Sequence, residues 1–134
     1  MDKIQYVKVD LTELSFKLNR GFKPPKDGIE VKGDFKIKHS FGRDKRSLLT
    51  SLAVELFKNI KEAPFSLKAT VEGTFRGAEE DLKRFSRVHA PAHLFPFLRE
   101  IISNITMRVN IPPLILPPIN LLAILSKKIK EKKG

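Results

Sequence analysis

The spacing of apolar residues changes along this chain from every second residue to every third or fourth, and this change most constrains its fold. In GIEVKGDFKIKHSF, residues 28–41, apolar side chains and His39 take the odd positions and polar side chains the even ones, which is typical of a half-buried strand. Residues 65–76, FSLKATVEGTFR, repeat the alternation, and SLLTSLAVELF, residues 47–57, lies between them with short connections. These segments predict three antiparallel strands in a meander.

The amino-terminal segment predicts a fourth strand with an irregularity. Val7, Val9 and Leu11 are in one phase, and the apolar residues from Leu14 onward are in the opposite phase. A β-bulge near residues 12–13 would bring both sets to the same face of a sheet.

The second half of the chain predicts helices. Four apolar residues recur at helical spacing and two more form an adjoining stripe: Leu94, Leu98, Ile101 and Ile105, with Phe95 and Ile102. Because proline fits only the first helical turn, Pro96 predicts a helix that begins near His93, and it should end near Arg108. A second helix is expected at about 119–132, and 19–28 and 76–92 are expected to be loops. The predicted fold class is α+β, a four-stranded antiparallel sheet followed by two C-terminal helices.

Length and composition favour one domain over residues 1–134. The chain has no cysteine, which excludes disulfides, thiol nucleophiles and cysteine-ligated metals. Its start lacks the apolar core of a signal peptide, and four prolines interrupt its longest apolar run, so we expect a cytoplasmic protein without a membrane span.

The formal net charge of +11 raises the possibility of a nucleic-acid-binding module. The basic residues are spread along the chain, often beside Asp or Glu, and no RNP-type motif is present. A solvated basic surface is therefore favoured, with nucleic-acid binding kept as the alternative.

Residue patterns that carry catalysis or bind cofactors are scarce in this chain. His89 and His93 are four residues apart, but Pro91 lies between them and no third ligand is evident, so loop histidines are favoured over a metal site. The acidic run 79–81 is typical of a solvated helix start rather than a catalytic pair. We expect no enzyme activity, no cofactor and no metal.

The segment NIPPLILPPINLLAIL, residues 110–125, carries four prolines and almost no charge. Prolines stop helices and hold the backbone extended, so the intervening apolar side chains can form a stiff wall. That wall could face either the core or a groove.

LFPFLREIISNITMRVNIPPLILPPINL, residues 94–121, and VKVDLTELSFKL, residues 7–18, together with the order of elements, resemble the SecB family of export chaperones. The resemblance implies a homotetramer, built as a dimer of dimers, that holds unfolded or preprotein polypeptides in apolar grooves without ATP or a cofactor. Such a chaperone keeps them soluble and competent for translocation. It also implies a set of groove residues: Phe22, Phe97, Ile111, Leu114, Leu116, Ile119 and Leu122.

The chain departs from the family in two places. It has no tryptophan, whereas familiar members carry one in the crossover loop that contains Phe22. Family members that deliver clients to the SecA motor use an acidic outer sheet face, whereas the outward positions here carry lysines against Glu30, Asp34 and Glu72 and form a basic surface. That predicted partner-facing surface consists of Lys32, Lys36, Lys38 and Lys68. Chaperone activity is therefore expected without motor delivery, and an antitoxin-type client is an alternative.

Overall fold

The structure, a computed structural model, describes residues 4–23, 33–58 and 63–108. Four strands come first: β1 (Gln5–Leu18), β2 (Gly33–Phe41), β3 (Ser47–Leu56) and β4 (Phe65–Arg76). Two helices follow: α1 (Glu79–Arg87) and α2 (His89–Arg108). The predicted fold class is confirmed in this part of the chain, while the predicted second helix at 119–132 lies outside the described residues.

The strands form one antiparallel sheet in the order β1-β4-β3-β2. The meander of β2, β3 and β4 is confirmed, and β1 pairs with the far side of β4. Alternate residues of β3 and β4 are buried, since this face of the sheet carries the helices: Leu48, Thr50, Leu52, Val54 and Leu56 on β3, and Phe65, Leu67, Ala69, Val71, Gly73 and Phe75 on β4.

The predicted bulge in β1 is confirmed. Leu11 pairs with Val71 and Glu13 with Thr70, so Thr12 is the extra residue, and its hydroxyl donates to the Thr70 carbonyl oxygen at 3.3 Å. A second register shift, which the sequence did not predict, lies between residues 6 and 8. It leaves Val7 out of phase with Val9 and Leu11, so the common phase predicted for these three residues was wrong.

Helix α1 lies in the segment that was predicted to be a loop. Its first turn is acidic, as the interpretation of residues 79–81 as a helix start predicted. Acidic side chains there stabilise the helix because they lie at the positive end of its dipole. Leu82 and Phe85 face inward and complete a small cluster with Leu48 and Phe75 of the sheet and Ala90 of the second helix. A nine-residue helix with so few large apolar side chains gives too short a pattern to detect from the sequence.

Helix α2 begins at His89, four residues earlier than predicted, and ends at Arg108 as predicted. Pro91, not Pro96, occupies its first turn, where a missing backbone donor has no cost. Pro96 lies inside the helix and removes the hydrogen bond to the carbonyl of residue 92. Ala92 and Pro96 are both exposed, so water can satisfy that carbonyl, and the helix continues.

The main core lies between the sheet and α2. Leu94, Leu98 and Ile102 are fully buried over β3 and β4, with Phe95 beside them. Ile101 and Ile105, predicted on the buried stripe, are only half-buried. Among the described residues, neither helix is long and apolar enough to cross a bilayer.

Candidate functional site

Two leucines of β1 remain exposed on the side of the sheet that carries the helices. Leu11 pairs with the buried residue Val71, and Leu14 with the buried residue Ala69, so both leucines point to the core side. Helix α2 packs mainly over β3 and β4, and it leaves these two leucines of the edge strand about half exposed. Leu11 is 46% exposed and Leu14 45% exposed.

One flank of α2 continues this apolar surface. The Phe95 ring lies 6.0 Å from the Phe35 ring of β2, so that flank of the helix faces β2. With about 3.6 residues per turn, Phe97 and Ile101 lie on the opposite flank, toward β1. Phe97 is 42% exposed and Ile101 is half-buried. We call the four residues on this surface the apolar strip: Leu11, Leu14, Phe97 and Ile101.

The apolar strip is larger than the sequence predicted, since only Phe97 was assigned to a site. Leu11 and Leu14 have the alternation of core residues, and nothing local distinguishes them from buried positions. Their exposure depends on β1 being an edge strand and on the line that α2 takes across the sheet, both of which are properties of the whole fold. Several large apolar side chains left exposed on one side of a fold favour an interaction site there.

Phe22 lies in a turn that follows β1 and is held to the start of β4. The Asn19 backbone N–H donates to the Pro64 carbonyl at 2.9 Å, and the Asn19 side-chain amide donates to the Ala63 carbonyl at 2.9 Å. The Phe22 N–H donates to the Asn19 carbonyl at 3.3 Å, which closes the turn. These bonds fix the half-buried Phe22 beside the Phe65 end of the sheet.

The structure does not bring together the two groove residues that it describes. Phe22 lies at the end of the sheet where β1 ends, whereas Phe97 lies on the flank of α2, and no ring contact joins them. The other predicted groove residues lie outside the described residues: Ile111, Leu114, Leu116, Ile119 and Leu122.

The outer face of the sheet has a shallow concavity of about 330 Å³. Three predicted surface lysines, Lys36, Lys38 and Lys68, line it together, while Lys32 lies outside the described residues. Small side chains on β3, Ser51 and Ala53, form its floor. Five further charged residues also line it: Glu13, Asp34, Glu55, Lys58 and Glu72. The sequence had not assigned Glu13, Glu55 or Lys58 to this surface.

Two of the four lysines that line this concavity form ion pairs. The Lys68 Nζ atom lies 3.6 Å from Glu13 Oε1, and the Lys58 Nζ atom 3.8 Å from Glu55 Oε1. Lys36 and Lys38 make no ion pair with any described residue. This part of the face therefore has mixed charge, with two unpaired lysines on the β2 side.

His89 and His93 lie on α2, so their assignment to a loop was wrong. Both side chains are exposed at the amino-terminal end of the helix. Within the described ranges, no three His, Cys, Asp or Glu side chains are grouped to hold a metal ion.

The chain is similar to proteins of one family. The family model described as preprotein translocase subunit SecB matches residues 29–132. A protein-export protein SecB of Ruegeria is 31% identical over 117 residues, covering 80% of this chain and 71% of the relative. An uncharacterized protein of Methanocaldococcus jannaschii is 38% identical over 80 residues, 56% of this chain, and the match spans about half of that relative, 52%.

A solved structure has the same fold. A SecB-like chaperone of Mycobacterium tuberculosis, in complex with a ChAD peptide from an antitoxin, superposes with a TM-score of 0.71 at 16% identity. The superposition covers 88% of this chain and 92% of that one. At this identity, the likeness concerns the fold alone.

Proposed function

The chain belongs to the SecB family, and we propose that it is an ATP-independent chaperone that holds unfolded polypeptides in apolar surface grooves and keeps them soluble in the cytoplasm. The observation that carries this proposal is the family match over residues 29–132. The exposed apolar strip supports it, since a chaperone of this kind must keep apolar surface accessible.

The proposed groove comprises the seven apolar residues named from the resemblance: Phe22, Phe97, Ile111, Leu114, Leu116, Ile119 and Leu122. An extended client would bury alternate side chains in such a groove, at about 25 cal/mol for each Å² removed from water. Phe97 supports this assignment because it is exposed although the next residue, Leu98, is fully buried.

We propose that the functional form is a homotetramer, a dimer of dimers. Leu11 and Leu14 support this proposal because an exposed leucine pair on an edge strand gains free energy when a second copy covers it. Phe97 belongs to the same strip, so either a client or a second subunit can cover it. The Phe97→Asp variant separates these roles. Loss of client capture in an intact tetramer would assign Phe97 to the client, whereas loss of the tetramer would assign it to the subunit interface.

An antitoxin-type client is the second candidate, favoured by the peptide that the Mycobacterium tuberculosis chaperone holds. Delivery to a SecA-type motor is not part of the proposal. On β2, Lys36 and Lys38 make no ion pair with any described residue and outnumber the one acidic residue, Asp34, which disfavours a basic partner at that edge of the face. We propose that the predicted surface lysines, Lys32, Lys36, Lys38 and Lys68, contact acidic groups of a partner, on a face whose described lining also carries four carboxylates.

The proposal is tested by mixing the purified full chain with a chemically unfolded polypeptide and following aggregation by light scattering without ATP. Aggregation should be suppressed at about one tetramer per client, and added nucleotide should have no effect. The same preparation is titrated with RNA at moderate salt. Aggregation that proceeds unchanged, together with a salt-sensitive RNA shift, would replace the chaperone by the nucleic-acid-binding alternative.

A further inference from the structure

The two histidines at the start of α2 are arranged around one phenylalanine of α1. His89 and His93 are four residues apart on the same helix, so their Cβ atoms are neighbours on one face. The Phe85 ring lies 5.8 Å from the His89 ring and 5.6 Å from the His93 ring, centroid to centroid. Both imidazoles therefore pack against the same aromatic ring.

The support beneath the two imidazoles is rigid. Phe85 is 6% exposed, and its ring lies 4.8 Å from that of Phe75, which is 1% exposed. Pro91, between the two histidines, fixes the backbone at the helical φ value in the first turn. Ring packing and a fixed backbone leave each imidazole few alternative positions, which lowers the entropy cost of using both rings together.

The nitrogen atoms of these imidazoles are available to a ligand. Both histidines are exposed, and neither makes a hydrogen bond or an ion pair with any described residue. By contrast, the Nδ1 atom of the third histidine, His39, lies 3.0 Å from the buried Thr50 hydroxyl. The pair on α2 thus combines exposed imidazoles with packing against one buried aromatic ring.

We propose that His89 and His93 form a two-ligand site for a divalent transition-metal ion. Two histidines at positions i and i+4 on one helix face are the spacing that holds zinc in helical metal motifs. Imidazole nitrogen suits Zn²⁺, Ni²⁺ and Cu²⁺, whereas Mg²⁺ and Ca²⁺ require oxygen ligands. The described residues supply no third ligand, so the remaining coordination positions would be filled by water or by a donor from outside them.

Metal binding at this site has a structural consequence. An ion held by both imidazoles bridges the first two turns of α2, so it stabilises the start of that helix. An ion that binds only the folded chain raises the midpoint of thermal unfolding by mass action. The site lies outside the proposed groove, so client capture should not depend on it.

The test is isothermal titration of the full chain, without a polyhistidine tag, with NiCl2. Wild type should bind one Ni²⁺ per chain, and His89→Ala or His93→Ala should each lose at least about tenfold in affinity, because the second imidazole binds as an intramolecular ligand. Ni²⁺ should raise the unfolding midpoint of wild type and not of either variant. MgCl2 should produce neither effect.

His39→Gln is the matched control, since glutamine can still hydrogen-bond to Thr50. It should bind Ni²⁺ as wild type does. The proposal is overturned if wild type does not bind, if either α2 variant binds as tightly as wild type, or if His39→Gln abolishes binding. Circular dichroism should show unchanged folding in all three variants, and each should suppress aggregation like wild type, so this outcome is separable from the chaperone proposal.

Discussion

Gly73 of β4 lies so close to Leu94 of α2 that a Cβ atom at position 73 would stand 2.7 Å from Leu94 Cδ2. The same atom would lie 3.1 Å from two carbons of the Phe75 ring. Leu94 is fully buried, and Phe75 is nearly so, so neither side chain can move into solvent. The absence of a side chain at position 73 is therefore what lets α2 approach the sheet.

Gly73→Ala should destabilise the protein. The added methyl group overpacks a closed core, and overpacking costs about 1–3 kcal/mol in the free energy of unfolding. Urea unfolding at one fixed protein concentration measures the loss. Gly21→Ala is the control, since its nearest contact would be an ordinary 3.8 Å to Asn19 Oδ1. Equal stabilities for the two variants would contradict the close approach.

Adjacent residues of α2 should separate core packing from client binding. Leu98 is fully buried and Phe97 is 42% exposed. Leu98→Ala removes core contacts and should cost about 2–5 kcal/mol in the free energy of unfolding. Phe97→Ala should leave that free energy nearly unchanged and weaken capture of an unfolded client, which a light-scattering aggregation assay measures. If Phe97→Ala lowers stability as much as Leu98→Ala does, Phe97 is a packing residue.

The strands could be predicted because their pattern is local. Each inward position of β4 between Phe65 and Val71 is buried as its alternation predicted. The bulge at Thr12 also followed from a phase change within one short segment. By contrast, the start of α2 was predicted wrongly, because the prediction assumed that a proline must lie in the first helical turn. Pro96 is accepted inside the helix because Ala92, whose carbonyl loses its hydrogen-bond donor, is exposed to water.

The candidate site could be predicted only in part, because exposure is decided by contacts between distant segments. Phe97 was assigned correctly to α2, but its exposure depends on which flank of the helix faces β1. The ion pair of Lys68 with Glu13 joins β4 to β1 and has no local signal. The helical placement of His89 and His93 depended on the same proline rule that misplaced the start of α2.

Leu14 should be required for assembly. It is 45% exposed on the apolar strip, so Leu14→Asp would bury a charge at any interface that covers it and should dissociate the tetramer. Multi-angle light scattering at micromolar concentration measures the mass. Leu49→Asp provides the control, because Leu49 pairs with the outward-facing Thr74, is 39% exposed and should keep the wild-type mass. A tetramer in both variants, or a monomeric wild type, would contradict this prediction.

Leu114 and Leu116, which lie outside the described residues, should bind clients directly. A carboxylate planted in an apolar subsite without a partner opposes burial of the client, so Leu114→Asp or Leu116→Asp should strongly reduce suppression of aggregation. A groove residue is partly exposed before the client arrives, so both variants should still fold and assemble. Leu98→Asp, which places the charge in the core, should fail to fold. If the Leu114 and Leu116 variants unfold like Leu98→Asp, these leucines are packing residues. If they fold and hold clients as wild type does, the proposed groove lies instead at the turn around Phe22.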